Sequence, residues 1–170
     1  EPKKISMNPT LKASLWKQFG ASIDMLENAI KHCPDELWDT PSLFWYFSYH
    51  TLFWLDHYLT PESATFAPPA PFTLSEFKSA TMPERVYTKE ELLTYLEYCR
   101  TKCHNLIASL TDETANSIWK NEYRSFTIFE LLLYNMRHVQ HHAAQLNLLL
   151  RQGINDAPRW VSQTKKTLES

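Results

Sequence analysis

Glycine is nearly missing from this chain: in 170 residues it occurs at Gly20 and Gly153 and nowhere else. Two-residue hairpin turns need positive φ, which glycine supplies at least cost. Phosphate-cradling loops need several glycines at fixed spacing, so that the backbone can approach the ligand. A hairpin-rich sheet therefore has little material here, and a GxGxxG or GxxxxGK[ST] nucleotide loop has none. Nine Phe, eight Tyr and six Trp in a 44% hydrophobic chain exclude a disordered polymer, and the length suits one domain over 1–170 with a sizeable core. A net charge of −2 gives no electrostatic footprint for nucleic acid.

The compartment is read from absences in the pattern. Cys33, Cys99 and Cys103 make no even-numbered framework, which favours a reducing environment. Nowhere does an apolar run reach the roughly 18 residues of a membrane span, and Glu1-Pro2-Lys3-Lys4 is not a signal peptide. The expectation is a soluble cytoplasmic protein without membrane or nucleic-acid partners.

Four long helical patterns follow. The first runs from about Thr10 to Lys31, with Asn8 as N-cap, Pro9 at the first helical position and Pro34 beyond its end. Leu11, Leu15, Phe19, Leu26 and Ile30 recur in it at three- and four-residue spacing. The second, about Ser42 to Leu59, is apolar almost all round, as expected of a helix buried on several sides or meeting a partner chain. The third opens with a capping box, Thr88 to Glu91, and continues to about Leu110. The fourth runs from about Thr127 to Gln152, with Gly153 as its expected C-cap. An all-α four-helix bundle over residues 8–153 is the economical reading, followed by a tail, 154–170, that folds back to cover Trp160.

The connections are unequal. Residues 32–41 and 111–126 read as loops, each with an acidic stretch and a Trp (Trp38 and Trp119). The middle crossover, about 60–87, carries Pro61, Pro68, Pro69, Pro71 and Pro83, with a short helical turn near Ser75–Lys78. A crossover this long caps a site or bridges the bundle ends. Leu43, Tyr46 and His50 match Leu131, Tyr134 and His138 in spacing, a faint duplication that chance explains equally well.

The chemistry-bearing group is His138-Val139-Gln140-His141-His142. His138 and His142, four apart, share one helix face and can both reach one cation, whereas His141 points elsewhere. Such a pair needs a third ligand from a facing helix. His50 is the best candidate, because an unpaired imidazole in its apolar helix is costly; His57 is the alternative, or a further lining residue. On spacing alone, a metal site and ordinary packed histidines remain equal alternatives. Cys99 and Cys103, four apart beside His104, sit in apolar company and read as buried structural thiols.

With His50 central in an apolar helix, a long crossover, and His138-x-x-x-His142 ahead of Gln145 in a helix reaching Leu150-Arg151-Gln152-Gly153, the chain resembles the DinB/YfiT-like family of bacterial metalloproteins. The resemblance spans residues 8–153, although the motif-bearing part is His50 and His138 to Gln145. It implies a four-helix bundle in which His50, His138 and His142 hold a divalent metal, commonly zinc or nickel, with iron or manganese as other choices. Where the family often has Arg-Gly before the Gln, this chain has Ala143-Ala144; that loss bears on substrate-anion recognition more than on metal binding.

Three neutral nitrogens leave coordination positions open for water or substrate. Helical geometry puts Tyr46, Tyr134, Asn135 and Gln145 near the same inner face. Tyr46 or Tyr134 is then a candidate oxyanion donor, and Asn135 or Gln145 a candidate to orient a ligand imidazole. No Asp or Glu occupies an evident general-base position on that face; Glu130 belongs to the helix start. The family implies either transfer of a low-molecular-weight thiol, such as bacillithiol or mycothiol, onto an electrophile, or metal-dependent hydrolysis. Thiol transfer fits better, since activation of the nucleophile needs no carboxylate base. A reading from another class is a non-catalytic stress-response module, homodimeric through the aromatic surface of the first two helices. Fold alone does not choose among these.

Overall fold

The computed structural model describes residues 6–168; the Glu1–Lys4 segment lies outside them. Four long helices carry the core: α1 (Pro9–His32), α3 (Phe44–Tyr58), α4 (Lys89–Ala108) and α6 (Ile128–Ile154). Their starts follow local chemistry. The Asn8 side chain accepts from the backbone N–H of Thr10 and Leu11 ahead of Pro9, Thr88 and Glu91 close a reciprocal capping box, and Thr127 accepts from Glu130 N–H. Each satisfies donors that a helix start leaves orphaned.

Around the bundle, α1 and α3 each lie against both α4 and α6. The pairings give the directions. Lys12 reaches the Ala108 carbonyl and Trp16 meets His104 edge-on, so α1 and α4 are antiparallel. Asn135 reaches the Leu55 carbonyl and Phe47 stacks on His142, so α3 and α6 are antiparallel too. Trp45 meets Tyr87, Cys99 meets Leu52, and Lys102 pairs with Asp56; α3 and α4 are therefore parallel neighbours.

That parallel pair explains the crossover. Its chain must travel back along all of α3, whose 15 residues span about 22 Å at the α-helical rise. Residues 59–88 do so as a proline-rich strap with two short 3-10 turns, Ser63–Thr65 and Ser75–Phe77. The strap covers the face of α3 that α4 and α6 leave open: Phe72 stacks on Tyr49 and on Tyr95, and Phe66 and Phe77 meet Phe53 edge-on. This is why α3 is apolar nearly all round.

His57 lies inside this seam. It is 3% exposed, ringed by Trp54, Tyr58, Phe66, Phe77 and Trp119 at centroid distances of 5.0–5.6 Å, and its Nδ1 has no hydrogen-bond partner. Burial, with a smaller push from the Lys102 charge, lowers its pKa to about 4.

The two other connections are more ordered than loops. Residues 33–43 contain α2 (Asp35–Trp38), and Trp38 Nε1 donates to the Tyr87 carbonyl. Residues 111–126, expected as a loop, hold α5 (Asp112–Asn116) and most of a hairpin, β1 (Ile118–Lys120) with β2 (Ser125–Thr127). Its turn needs no glycine because Asn121 Oδ1 accepts from the backbone N–H of Tyr123 and Arg124, an Asx turn.

Both glycines lie inside helices, and Gly153 is not the stop expected of it. α6 runs on to Ile154 and ends at Asn155 with φ 55°. Both positions serve close approach. A Cβ at Gly153 would sit 2.9 Å from Leu37 Cδ2, and one at Gly20 would sit 2.6 and 2.8 Å from Thr164 Cγ2 and Cβ. Thr164 belongs to the tail, which folds back along α1 through Thr164 N–H to the Lys17 carbonyl and Trp16 Nε1 to the Lys166 carbonyl. Trp160, expected to be covered by that return, is instead 68% exposed; the anchor is Thr164 at the Gly20 notch. Cys33, Cys99 and Cys103 are buried free thiols, all raised above the usual thiol range by burial. Among the described residues no helix is long and apolar enough to cross a membrane.

Two expectations follow for stability. In an exposed helix, Gly→Ala gains about 1 kcal/mol. Gly153→Ala should melt within about 0.5 kcal/mol of the parent or above it, because the far end of Leu37 can rotate away. Gly20→Ala should destabilise and expose the tail to proteolysis, since Thr164 is β-branched and backbone-anchored. Melting curves with limited proteolysis compare the two. The second concerns acid. An unfolded histidine takes a proton near pH 6.5, whereas folded His57 resists protonation down to about 4. The unfolded chain binds more protons between those values, so stability falls as pH drops through that window. His57→Phe should recover roughly 1–3 kcal/mol of that acid loss, read as the difference in denaturant midpoints between pH 7 and pH 4 for the variant and parent.

Candidate metal centre

The strap's second 3-10 turn and the α3–α6 seam meet at three histidines. His50 comes from the middle of α3, and His138 and His142 from one face of α6. One ligand atom from each lies within 4.8 Å of the others, and the ring centroids are 4.6–5.7 Å apart. Because α3 and α6 are antiparallel neighbours, a central histidine on one faces the i, i+4 pair on the other.

Two of the rings are oriented from behind. His50 Nδ1 bonds Glu76 Oε2 at 2.6 Å, and His142 Nδ1 bonds Gln145 Oε1 at 2.7 Å. With both Nδ1 atoms engaged, Nε2 is the nitrogen each ring has free, and a carboxylate or amide acceptor behind a ligand imidazole fixes its tautomer. Glu76 is held hard: Tyr46 donates to its Oε1 at 2.8 Å and Trp54 Nε1 to its Oε2 at 3.1 Å, and its side chain is 4% exposed. Burial raises its pKa, but the bonds from His50, Tyr46 and Trp54 outweigh that and keep the carboxyl below its usual value. Burial, with the neighbouring imidazoles, pushes His138 down to about 3; His142, mainly through burial, falls to about 4. Both rings are neutral at neutral pH, the form in which imidazole binds a cation.

A donor set of three neutral imidazoles within reach of one point fits a divalent transition metal. His138 carries an independent sign of fit: its Nδ1 is buried without a hydrogen-bond partner, which is costly in a site made only for packing.

The other expected residues fall in different places. Tyr46 reaches Glu76 rather than open space, and burial and that carboxylate raise its pKa. Tyr134 lines a cavity beside His138 and meets Tyr58 and Phe126. Asn135 is wholly buried, its Nδ2 tied to the Leu55 carbonyl at 3.1 Å, so it holds α6 to α3. His57 stays in its aromatic cage, outside the three-histidine group. His141 is exposed, its ring 5.1 Å from that of His142. Glu76 is the residue that sequence reasoning missed. The only signal was the short turn around it, and its partner is 26 residues away.

Comparison with curated proteins and with solved structures returned no match. The family model for the DinB superfamily matches residues 18–146, a stretch that includes all three histidines and the strap between them. A helical bundle with this three-histidine cluster, matched over most of its length, thus belongs to the DinB superfamily.

Proposed function

We propose that this protein is a metal-dependent enzyme in which His50, His138 and His142 hold one divalent ion, zinc or nickel by resemblance to its family, and that its reaction is transfer of a small thiol onto an electrophilic carbon. The observation that carries the reading is the convergence of three imidazoles whose rear nitrogens are fixed at two positions by Glu76 and Gln145. The chemistry such an ion supplies is Lewis acidity, which lowers the pKa of a thiol or a water.

Transfer is favoured over hydrolysis by the state of Glu76. It is the carboxylate nearest the cluster, yet it already accepts from a tyrosine, a tryptophan and His50. A carboxylate that donors have stabilised in its charged form is a poor general base. Its part is to hold His50 in place. Thiol transfer would need no such base: the thiol's pKa would be lowered by an ion held by His50, His138 and His142 so that its proton passes to solvent, and the carbon–sulfur bond would form as the electrophile's leaving group departs.

Elemental mass spectrometry on untagged protein tests the centre. The parent should carry near-stoichiometric metal and His142→Ala almost none; metal absent from both after soaking overturns the reading. Glu76→Gln keeps the size of the side chain but removes the charge behind His50. It should weaken metal affinity by roughly 10–100-fold, measured by competition with a chelator, with the helical circular-dichroism signal retained. Conjugation of cysteine to monochlorobimane should then track metal content across the parent and both variants.

A further inference from the structure

Beside the three histidines lies a cavity of about 510 Å³ lined by Tyr134, Arg137, His138, Gln140 and His141. Tyr134, Arg137, His138 and His141 are three and four apart, one stripe of α6. His138 belongs both to this stripe and to the i, i+4 pair, so the cavity touches the cluster at His138. Above it stands the hairpin, whose Asx turn fixes Arg124. That guanidinium lies over the Tyr134 ring, 5.5 Å from its centroid, and its charge is among those that disfavour a proton on His138, after burial and the nearby imidazoles.

Among the described residues the arginine ion pairs are those of Arg85 and Arg100, and neither Arg124 nor Arg137 pairs with a carboxylate. Both are exposed at the rim. On a chain of net charge −2, two guanidinium groups without a carboxylate partner thus lie beside one opening. Guanidinium forks match carboxylate and phosphate oxygens in bidentate geometry, and the rear wall offers the Tyr134 side chain.

We propose that this cavity binds an oxyanion, a carboxylate or phosphate carried by the small-molecule substrate, through Arg124 and Arg137, so that the substrate's reacting end is presented at His138. The inference deepens the metal-centre reading by naming a substrate class, and as the substrate's place in the site it rests on that reading. The anion contacts themselves need no ion.

Calorimetric titration of the full chain separates the two. Succinate, inorganic phosphate and neutral succinamide are titrated into protein as purified and after treatment with a chelator. Expected is binding of succinate or phosphate but not succinamide in both preparations, weakened about tenfold by Arg124→Gln and by Arg137→Gln. Arg151→Gln, on the same helix away from the cavity, should leave affinity unchanged. The tighter of the two anions identifies which group the substrate carries. No difference between succinate and succinamide, no binding at all, or binding that ignores both arginine substitutions overturns the proposal; anion binding confined to metal-loaded protein and indifferent to the arginines belongs to the ion instead. Should elemental analysis find no metal in the parent even after soaking, arginine-dependent anion binding would leave the oxyanion site standing while the metal-centre reading falls.

Discussion

Two neighbouring helices that run in the same direction cannot be joined by a short turn, and α3 and α4 are such a pair. The return along α3 is the constraint from which the rest of the site follows. It obliges the chain to lay a long strap on the open face of α3, and that face must be apolar to receive it. Tyr49, Phe53 and His57 are buried on that side by Phe66, Phe72 and Phe77. The strap also delivers a polar group to a place no helix of the bundle supplies. Glu76 arrives on its second 3-10 turn, level with the middle of α3, where His50 points toward α6.

A buried carboxylate stays charged only if its lone pairs are occupied, because desolvation of an unpaired charge costs several kcal/mol or more. Glu76 meets that condition with three donors, Tyr46, Trp54 and His50. All three come from the i, i+4, i+8 row 46–50–54 of α3, so one face of one helix clasps the strap. Packing and polar satisfaction therefore fix the same geometry. The arrangement that holds the strap down also sets the direction of the His50 ring, which couples the stability of the crossover to the order of the three-histidine cluster.

The four helices were legible because each carries a local signal: an apolar face at helical period and a capping side chain at the start in α1, α4 and α6, and a run apolar nearly all round in α3. The three-histidine grouping was legible in the same terms, from i, i+4 spacing and a lone imidazole in an apolar helix. Errors arose where a residue serves a tertiary contact rather than a local one. Gly153 looked like a stop because glycine favours positive φ, yet it makes room for Leu37 while Asn155 takes the left-handed cap. The hairpin was hidden because Asn121 does by side-chain hydrogen bonding what glycine does by conformational freedom. Glu76 gave no periodic signal at all: its role depends on an irregular strap closing onto a helix 26 residues earlier in the chain.

Helical period also explains how α6 serves two neighbours at once. Residues three and four apart share a face, so His138 has two sets of companions: His142 on the side of α3, and Tyr134, Arg137 and His141 along the cavity. A stripe containing only the histidine pair would present a cluster closed off by Phe47 and the strap. The offset stripe instead leaves one edge of His138 at an opening flanked by Arg137 and, through the hairpin, by Arg124. Charge placed there lies beside the three imidazoles without entering them. An anionic group is drawn to the rim while the neutral nitrogens remain available, and the separation between the two follows from a one-residue difference in spacing along the same helix.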